Sequence, residues 1–269
     1  MCGIAGIVYR EGEEQESARK AVRRMIAAQK HRGPDGEGFY DKEGVSLGHC
    51  RLAIIDLADT GRQPMSDHSR RYWITFNGEI YNYIELMAEL KELGYQFLGH
   101  SDTEVLLNAY CQWGNECVKR LRGMFAFAIW DEKQKTLFAA RDRLGIKPFH
   151  YFLQRKNKFA FSSEIKALLP FLPNRSINRS LIQAFLAWNL LDHEESETFL
   201  DGIQRLPPAH TMIWRSDGTL QIEKYWTLSC TDKLTTSPNQ RESLAQEFRH
   251  RFQESVAIHL RSDVPVGTC

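Results

Sequence analysis

The sequence lacks paired cysteines. Six are scattered at positions 2, 50, 111, 117, 230 and 269 with no C-x-x-C between them. That spacing argues against zinc knuckles and against a disulfide framework. Nine histidines contain no H-E-x-x-H, so no metal site is expected. There is also no apolar run near the roughly 20 residues that a bilayer-spanning helix needs, and no basic, apolar leader at the N-terminus. No excess of one charge is present either: 35 Lys plus Arg stand against 34 Asp plus Glu, for a net charge of +1. A field that would gather nucleic acid or an anionic membrane is thereby excluded. The expectation is a cytoplasmic protein with a small-molecule partner, no nucleic acid and no membrane.

What is present is a mixed α and β pattern over 269 residues, 42% of them hydrophobic, without the regular βαβ spacing of a nucleotide-binding sheet. Strands are expected at residues 4–9, 45–55, 72–76, 124–130, 136–140 and 159–162. In "GMFAFAIWD" both alternating faces are apolar, which predicts a strand covered on both sides. Helices are expected over residues 17–30, with Ala18, Val22, Met25 and Ile26 on one face, over 83–93, and from "SDTEVLLNAY", where Ser101 and Glu104 have capping-box spacing. A further helix follows "INRSLIQAFLAW", and "RLPPAHTMIW" reads as a proline turn into a strand. The Ser- and Thr-rich stretch "LSCTDKLTTSPNQRES" reads as a linker. Beyond it Leu244, Phe248, Phe252, Val256 and Leu260 recur every four residues, a helical stripe in need of a partner.

The chain opens "MCGIAGIVY". A thiol at position 2 acquires its own base if Met1 is removed, because the freed α-amine has a pKa near 8 and lies beside the sulfur. In "FNGEIYNY", Asn77 and Gly78 follow a strand. An amide NH₂ and a backbone N–H there can share one oxyanion. Arg51 in "HCRLAIID" can fork onto a carboxylate, and Asp102 at a helix N-terminus can hold an ammonium. Each residue also has a plain structural use: Cys2 as a small hydrophobe, Asn-Gly as a tight turn, Arg51 at a strand edge, Asp102 against the helix dipole. Together they suit an α-amino acid with a side-chain amide, which is glutamine.

Seven segments in order, "MCGIAGIVY", "HRGPDGEGFY", "GHCRLAIID", "FNGEIYNY", "SDTEVLL", "LRGMFAFAIWD" and "ARDRLGIKPFHY", resemble the class II glutamine amidotransferase domain of glutamine-hydrolysing asparagine synthetases. The resemblance covers almost the whole chain. It implies an α+β fold, the four-layer αββα Ntn-hydrolase sandwich, followed by a truncated start of a second, α/β synthetase domain. It also implies Cys2 as nucleophile, Asn77 and Gly78 as oxyanion hole, Arg51 and Asp102 on the glutamine α-groups, and Glu79 with the backbone of Ile54 and Ile55 lining the site. "HRGPDGEG", including His31, and "RDRLGIKP" are read as structural loops, the second beside a domain interface.

The chain ends "LRSDVPVGTC". In the family, a stretch like "SDVPVG" leads into an SGGLDSS loop that grips the ATP pyrophosphate, and that loop is absent here. The implied division is an amidotransferase domain over residues 2–228, a linker over 229–242, and the first helix and truncated start of the synthetase domain over 243–269. The resemblance therefore implies glutamine hydrolysis without a cofactor, with ATP, Mg and aspartate used only by a complete enzyme. A homodimer is an allowed assembly. Three rivals stay open: an amidotransferase of the same fold serving amino-sugar or purine synthesis, a synthetase with a different acceptor carboxylate, and a non-catalytic remnant that keeps the fold as an interaction module.

Overall fold

The computed structural model describes residues 1–10, 15–154, 158–191, 194–229 and 238–267. Among the described residues, twelve strands form two antiparallel sheets of six. The first holds β1 (Gly3–Tyr9), β2 (Gly36–Lys42), β3 (Val45–Arg51), β8 (His150–Gln154), β9 (Lys158–Ser162) and β10 (Gln204–Arg205), in the order β10-β8-β9-β1-β3-β2. The second runs β12-β11-β7-β6-β5-β4, from β4 (Met65–Ser66), β5 (Tyr72–Ile80), β6 (Gly123–Asp131), β7 (Thr136–Arg141), β11 (His210–Arg215) and β12 (Leu220–Lys224). The helices are α1 (Gln15–Ala28), α2 (Tyr83–Glu92), α3 (Asp102–Trp113), α4 (Cys117–Arg120), α5 (Arg179–Trp188) and α6 (Pro238–His259).

Side-chain alternation along each strand produces the layering. Ile4 and Val8 of β1 meet Ala126, Ala128 and Trp130 of β6 in the core between the sheets. The odd residues of β1, Ala5, Ile7 and Tyr9, face outward onto Ala18, Val22, Met25 and Ile26 of α1, the four helix residues expected from the sequence. Phe125, Phe127 and Ile129 of β6 face the other way, onto Leu86 and Leu90 of α2 and Val105 and Leu106 of α3. The doubly covered strand is thus β6, with small residues facing the opposite sheet and large ones facing the helices. The result is the αββα order expected.

Four expectations need correction. The strand expected over 72–76 runs on to Ile80, so Asn77 and Gly78 lie within β5 and not after it, paired with Ala126 and Phe125 of β6. The strand expected over 45–55 stops at Arg51, because its partners run out: β1 begins at Gly3 opposite Cys50, and β2 begins at Gly36 opposite Arg51. The Ser101–Glu104 capping box is only half formed. Ser101 Oγ accepts from Glu104 N at 3.2 Å, but the Glu104 carboxylate bonds Leu98 N and Gly99 N instead of returning to Ser101. The linker expected over 229–242 overlaps α6, which opens on Pro238, a residue suited to a first helical turn; residues 230–237 of that linker lie outside the described residues. The α6 stripe is exposed throughout, Phe248 at 71% and Phe252 at 60%.

Candidate active site

The register of the first sheet sets the nucleophile. Gly3 opposes Cys50, so Cys2 falls opposite the end of β3, where the chain leaves the sheet. There Cys2 Sγ lies 3.3 Å from Leu52 N, which donates to it, and 3.5 Å from Leu52 O. Arg32 Nε donates to Cys2 O at 3.0 Å and fixes the backbone behind the thiol, while Arg32 Nη1 and His31 Nε2 both bond Glu164 Oε1. His31 is 57% exposed on its side chain and is absent from the cleft lining, in keeping with a structural role. Burial raises the Cys2 thiol pKa, and the Leu52 N–H partly offsets it.

The second sheet contributes an open edge. β5 pairs with β6, Gly78 opposite Phe125, yet the Phe125 peptide groups are taken by Asp142 on the other side. The peptide of Gly78 therefore faces away from β6. Its neighbours of the same parity show where: Phe76 N donates to Gln63 Oε1 at 2.6 Å, and Ile80 N donates to Asp102 Oδ2 at 2.9 Å. Between these two occupied positions the Gly78 N–H points into the cleft. A Cβ at Gly78 would stand 2.3 Å from Met124 O and 2.7 Å from Phe125 Cα, so only glycine lets the strands approach so closely. Asn77, on the opposite face of β5, is 1% exposed, and neither its Nδ2 nor its Oδ1 has a hydrogen-bond partner. An unpaired buried amide costs roughly 1–3 kcal/mol, a cost that calls for a ligand.

All eight sequence-predicted residues, Cys2, Arg51, Ile54, Ile55, Asn77, Gly78, Glu79 and Asp102, line one cleft of about 160 Å³. Arg51 is more constrained than expected. Its Nη1 donates to Ala58 O at 2.9 Å and its Nη2 to Asp56 O, so three of the five guanidinium N–H remain for a carboxylate. Gly61 permits this: a Cβ there would sit 2.2 Å from Arg51 Nη2. The loop is further braced by "HRGPDG", whose Asp35 accepts from Ala53 N at 2.8 Å and donates its own N–H to Arg51 O. Asp102 is buried at the start of α3; burial, opposed by the Ile80 N–H and aided by Glu79, pushes its carboxyl pKa up to about 7.

Sequence reasoning missed Lys147. "RDRLGIKP" is the structural turn expected: Arg141 donates to the carbonyls of Gly145, Lys147 and Leu206, and Asp142 accepts from the amides of Leu144, Ile146 and Lys147. The turn nevertheless delivers Lys147, 5% exposed, into the lining of the cleft. Burial lowers its ammonium pKa, while Glu79 and Cys2 act to raise it. The available signal was a lone lysine flanked by Ile146, Pro148 and Phe149. Among the described residues no group of three or more His, Cys, Asp or Glu could hold a metal, and no helix is long and apolar enough to cross a membrane.

Over its whole length the chain is 38% identical to asparagine synthetase [glutamine-hydrolyzing] 1 of Bacillus subtilis strain 168, covering 41% of that protein. It is 41% identical to asparagine synthetase [glutamine-hydrolyzing] 3 of the same organism, covering 43%. With amidase chry2 of Gibberella zeae it shares 34% identity, 99% of this chain against 40% of that one. The chain thus spans about two fifths of the length of the curated relatives it matches. In the solved structure of glutamine phosphoribosylpyrophosphate amidotransferase from B. subtilis, the same fold covers 84% of this chain and 50% of that one, with a TM-score of 0.62 at 18% identity. Residues 1–226 match the family described as glutamine amidotransferase domain, and the protein, folded as an αββα sandwich, belongs to that family.

Proposed function

We propose that the chain hydrolyses glutamine to glutamate and ammonia through Cys2, and that in a complete synthetase this ammonia converts an ATP-activated aspartate to asparagine. The observation that carries the reading is the Asn77 amide, buried without a partner in the cleft that Cys2 also lines. Asparagine synthetases among the relatives support aspartate as acceptor. The SGGLDSS sequence assigned to ATP by resemblance does not occur in these 269 residues, and glutamine hydrolysis needs neither ATP nor Mg in this reading. We assign residues 2–228 to the glutaminase domain, with α6 opening the synthetase part at Pro238.

In this reading the Cys2 sulfur attacks the side-chain amide carbon of glutamine. The thiol proton passes to the Cys2 α-amine, and the oxyanion accepts from Asn77 Nδ2 and the Gly78 N–H. The amine returns the proton to the departing ammonia, leaving a γ-glutamyl thioester that water hydrolyses. Arg51 takes the α-carboxylate and Asp102 the α-ammonium. Met1 lines the same cleft, so its removal both frees the amine and clears space. With Met1 in place the amine at the chain terminus has its pKa lowered by burial, with Cys2 acting to raise it and Arg32 and Lys147 to lower it.

The test is glutamate release from glutamine by the purified chain, with the N-terminal mass recorded on the same sample. Release by a chain starting at Cys2 supports the reading, and a silent chain with a free Cys2 refutes autonomous hydrolysis.

The Asp102 carboxyl also makes a pH prediction. With its pKa raised to about 7, it is mostly neutral at pH 6 and mostly ionised at pH 8, and only the ionised form pairs with an ammonium. KM for glutamine is expected to rise about tenfold as the pH falls from 8 to 6. In Asp102→Asn the acceptor for Ile80 N is kept, the KM at pH 8 is high, and the dependence is flat. A wild-type KM that does not vary over this range would remove Asp102 from the ammonium site.

A further inference from the structure

We propose that Asp263 is a positioning residue for glutamine recognition, holding the loop of residues 52–61 from the segment that follows α6. The inference rests on the glutaminase reading for its kinetic consequence, and on geometry alone for the tie itself.

After α6 the chain returns to the amidotransferase sandwich through a few residues. The His259 ring packs on Tyr81 with centroids 4.1 Å apart, and Arg261 forks onto Glu85 with both N–O distances 2.6 Å while also donating to Tyr81 O. Asp263 then reaches the loop. Its N–H donates to Ile54 O at 2.9 Å, its Oδ2 accepts from Asp56 N at 2.7 Å, and the same Oδ2 accepts from His100 Nε2 at 2.9 Å.

Asp56 transmits this hold. Its N–H is bound by Asp263 and its C=O is bound by Arg51, so Asp263 and the Arg51 guanidinium meet across one residue. Asp56 is also the residue least able to keep its place unaided. Its φ is 56°, left-handed for a non-glycine side chain, and such a backbone persists only where its surroundings over-determine it. Thr60 Oγ1, Ala58 N and His100 N supply part of that restraint by donating to the Asp56 carboxylate. The peptide N–H itself is held by Asp263. Ile54, whose carbonyl Asp263 also takes, lines the cleft beside Arg51. Loss of the Asp263 side chain therefore loosens the group that grips the substrate carboxylate; Asn77 and Gly78 stay in β5, and Leu52, which contacts the Cys2 thiol just before β1, remains anchored through the Ala53 N–H on Asp35.

The experiment is steady-state glutamate release by the full chain as wild type, Asp263→Ala and Asp263→Asn at pH 8, with hydrogen exchange followed on peptides spanning 52–61 and 72–80. Asparagine keeps an acceptor for Asp56 N; alanine does not. In Asp263→Ala, KM for glutamine is expected to rise about five- to tenfold with kcat within about twofold of wild type, and exchange in 52–61 to quicken while 72–80 is unchanged. Asp263→Asn is expected to restore both to near wild type. An unchanged KM in Asp263→Ala, a fall confined to kcat, or an asparagine variant as impaired as the alanine one overturns the proposal. If wild type releases no glutamate, the glutaminase reading fails separately, and exchange alone decides: equal rates in 52–61 for wild type and Asp263→Ala overturn the tie.

Discussion

Glutamate release is expected to fall on the order of 10⁴-fold or more when Cys2 is replaced by alanine, as follows from removing the atom that forms the covalent bond. The loss has to come from chemistry, because little structure depends on the thiol: it hydrogen-bonds the N–H and the C=O of Leu52. The melting temperature of the variant should accordingly stay within a few degrees of wild type. A second arm separates the sulfur from the amine. Burial holds the thiol pKa up, so the resting site does not generate a thiolate by itself and needs a base. A variant that keeps Met1, with the thiol intact and the Cys2 nitrogen locked in a peptide bond, should lose activity as severely. Activity near wild type in that variant would mean that the base lies elsewhere in the cleft, with Lys147 the next group to test.

The core of this arrangement was legible in the sequence because local pattern and chemistry coincide there. β6 announces itself by carrying Phe125, Phe127 and Ile129 against Ala126, Ala128 and Trp130, and the two cores it separates are those two faces. Asn77 and Gly78 stand out as an amide beside a peptide without a Cβ, although β5 runs on through them to Ile80 instead of ending at Phe76, and Asp102 opens a helix whose N-cap, Ser101, reads directly from the sequence. The parts that were not legible depend on contacts between distant segments. β2 is a half-exposed edge strand containing two glycines, so its residues read as turn until β3 pairs with them. Lys147 enters the cleft only because Asp142 and Arg141 coil the turn before it. The Asp263 tie joins residues 207 positions apart, and no local pattern encodes it. Glu104 shows the same principle at short range. Its spacing from Ser101 predicts a reciprocal cap, but the two free amides of Leu98 and Gly99 compete for the carboxylate and win.

Asn77→Ala should uncouple activity from stability, which distinguishes an oxyanion donor from a structural amide. Removing one oxyanion donor typically costs on the order of 10²–10³-fold in kcat, and that loss is expected here with KM for glutamine changed much less, since the oxyanion exists only after attack. Most buried polar side chains cannot be removed without destabilising the fold, because their partners are left unsatisfied. Asn77 leaves no such partner: both of its amide atoms are unbonded. The variant should therefore melt at or above the wild-type temperature while releasing glutamate at least about 100 times more slowly. An active Asn77→Ala enzyme would assign the oxyanion to Gly78 and another donor. An inactive and strongly destabilised one would make the amide part of the scaffold. The stable, inactive outcome requires that no group of the fold depend on the Asn77 amide, and that the transition state be the species that engages it.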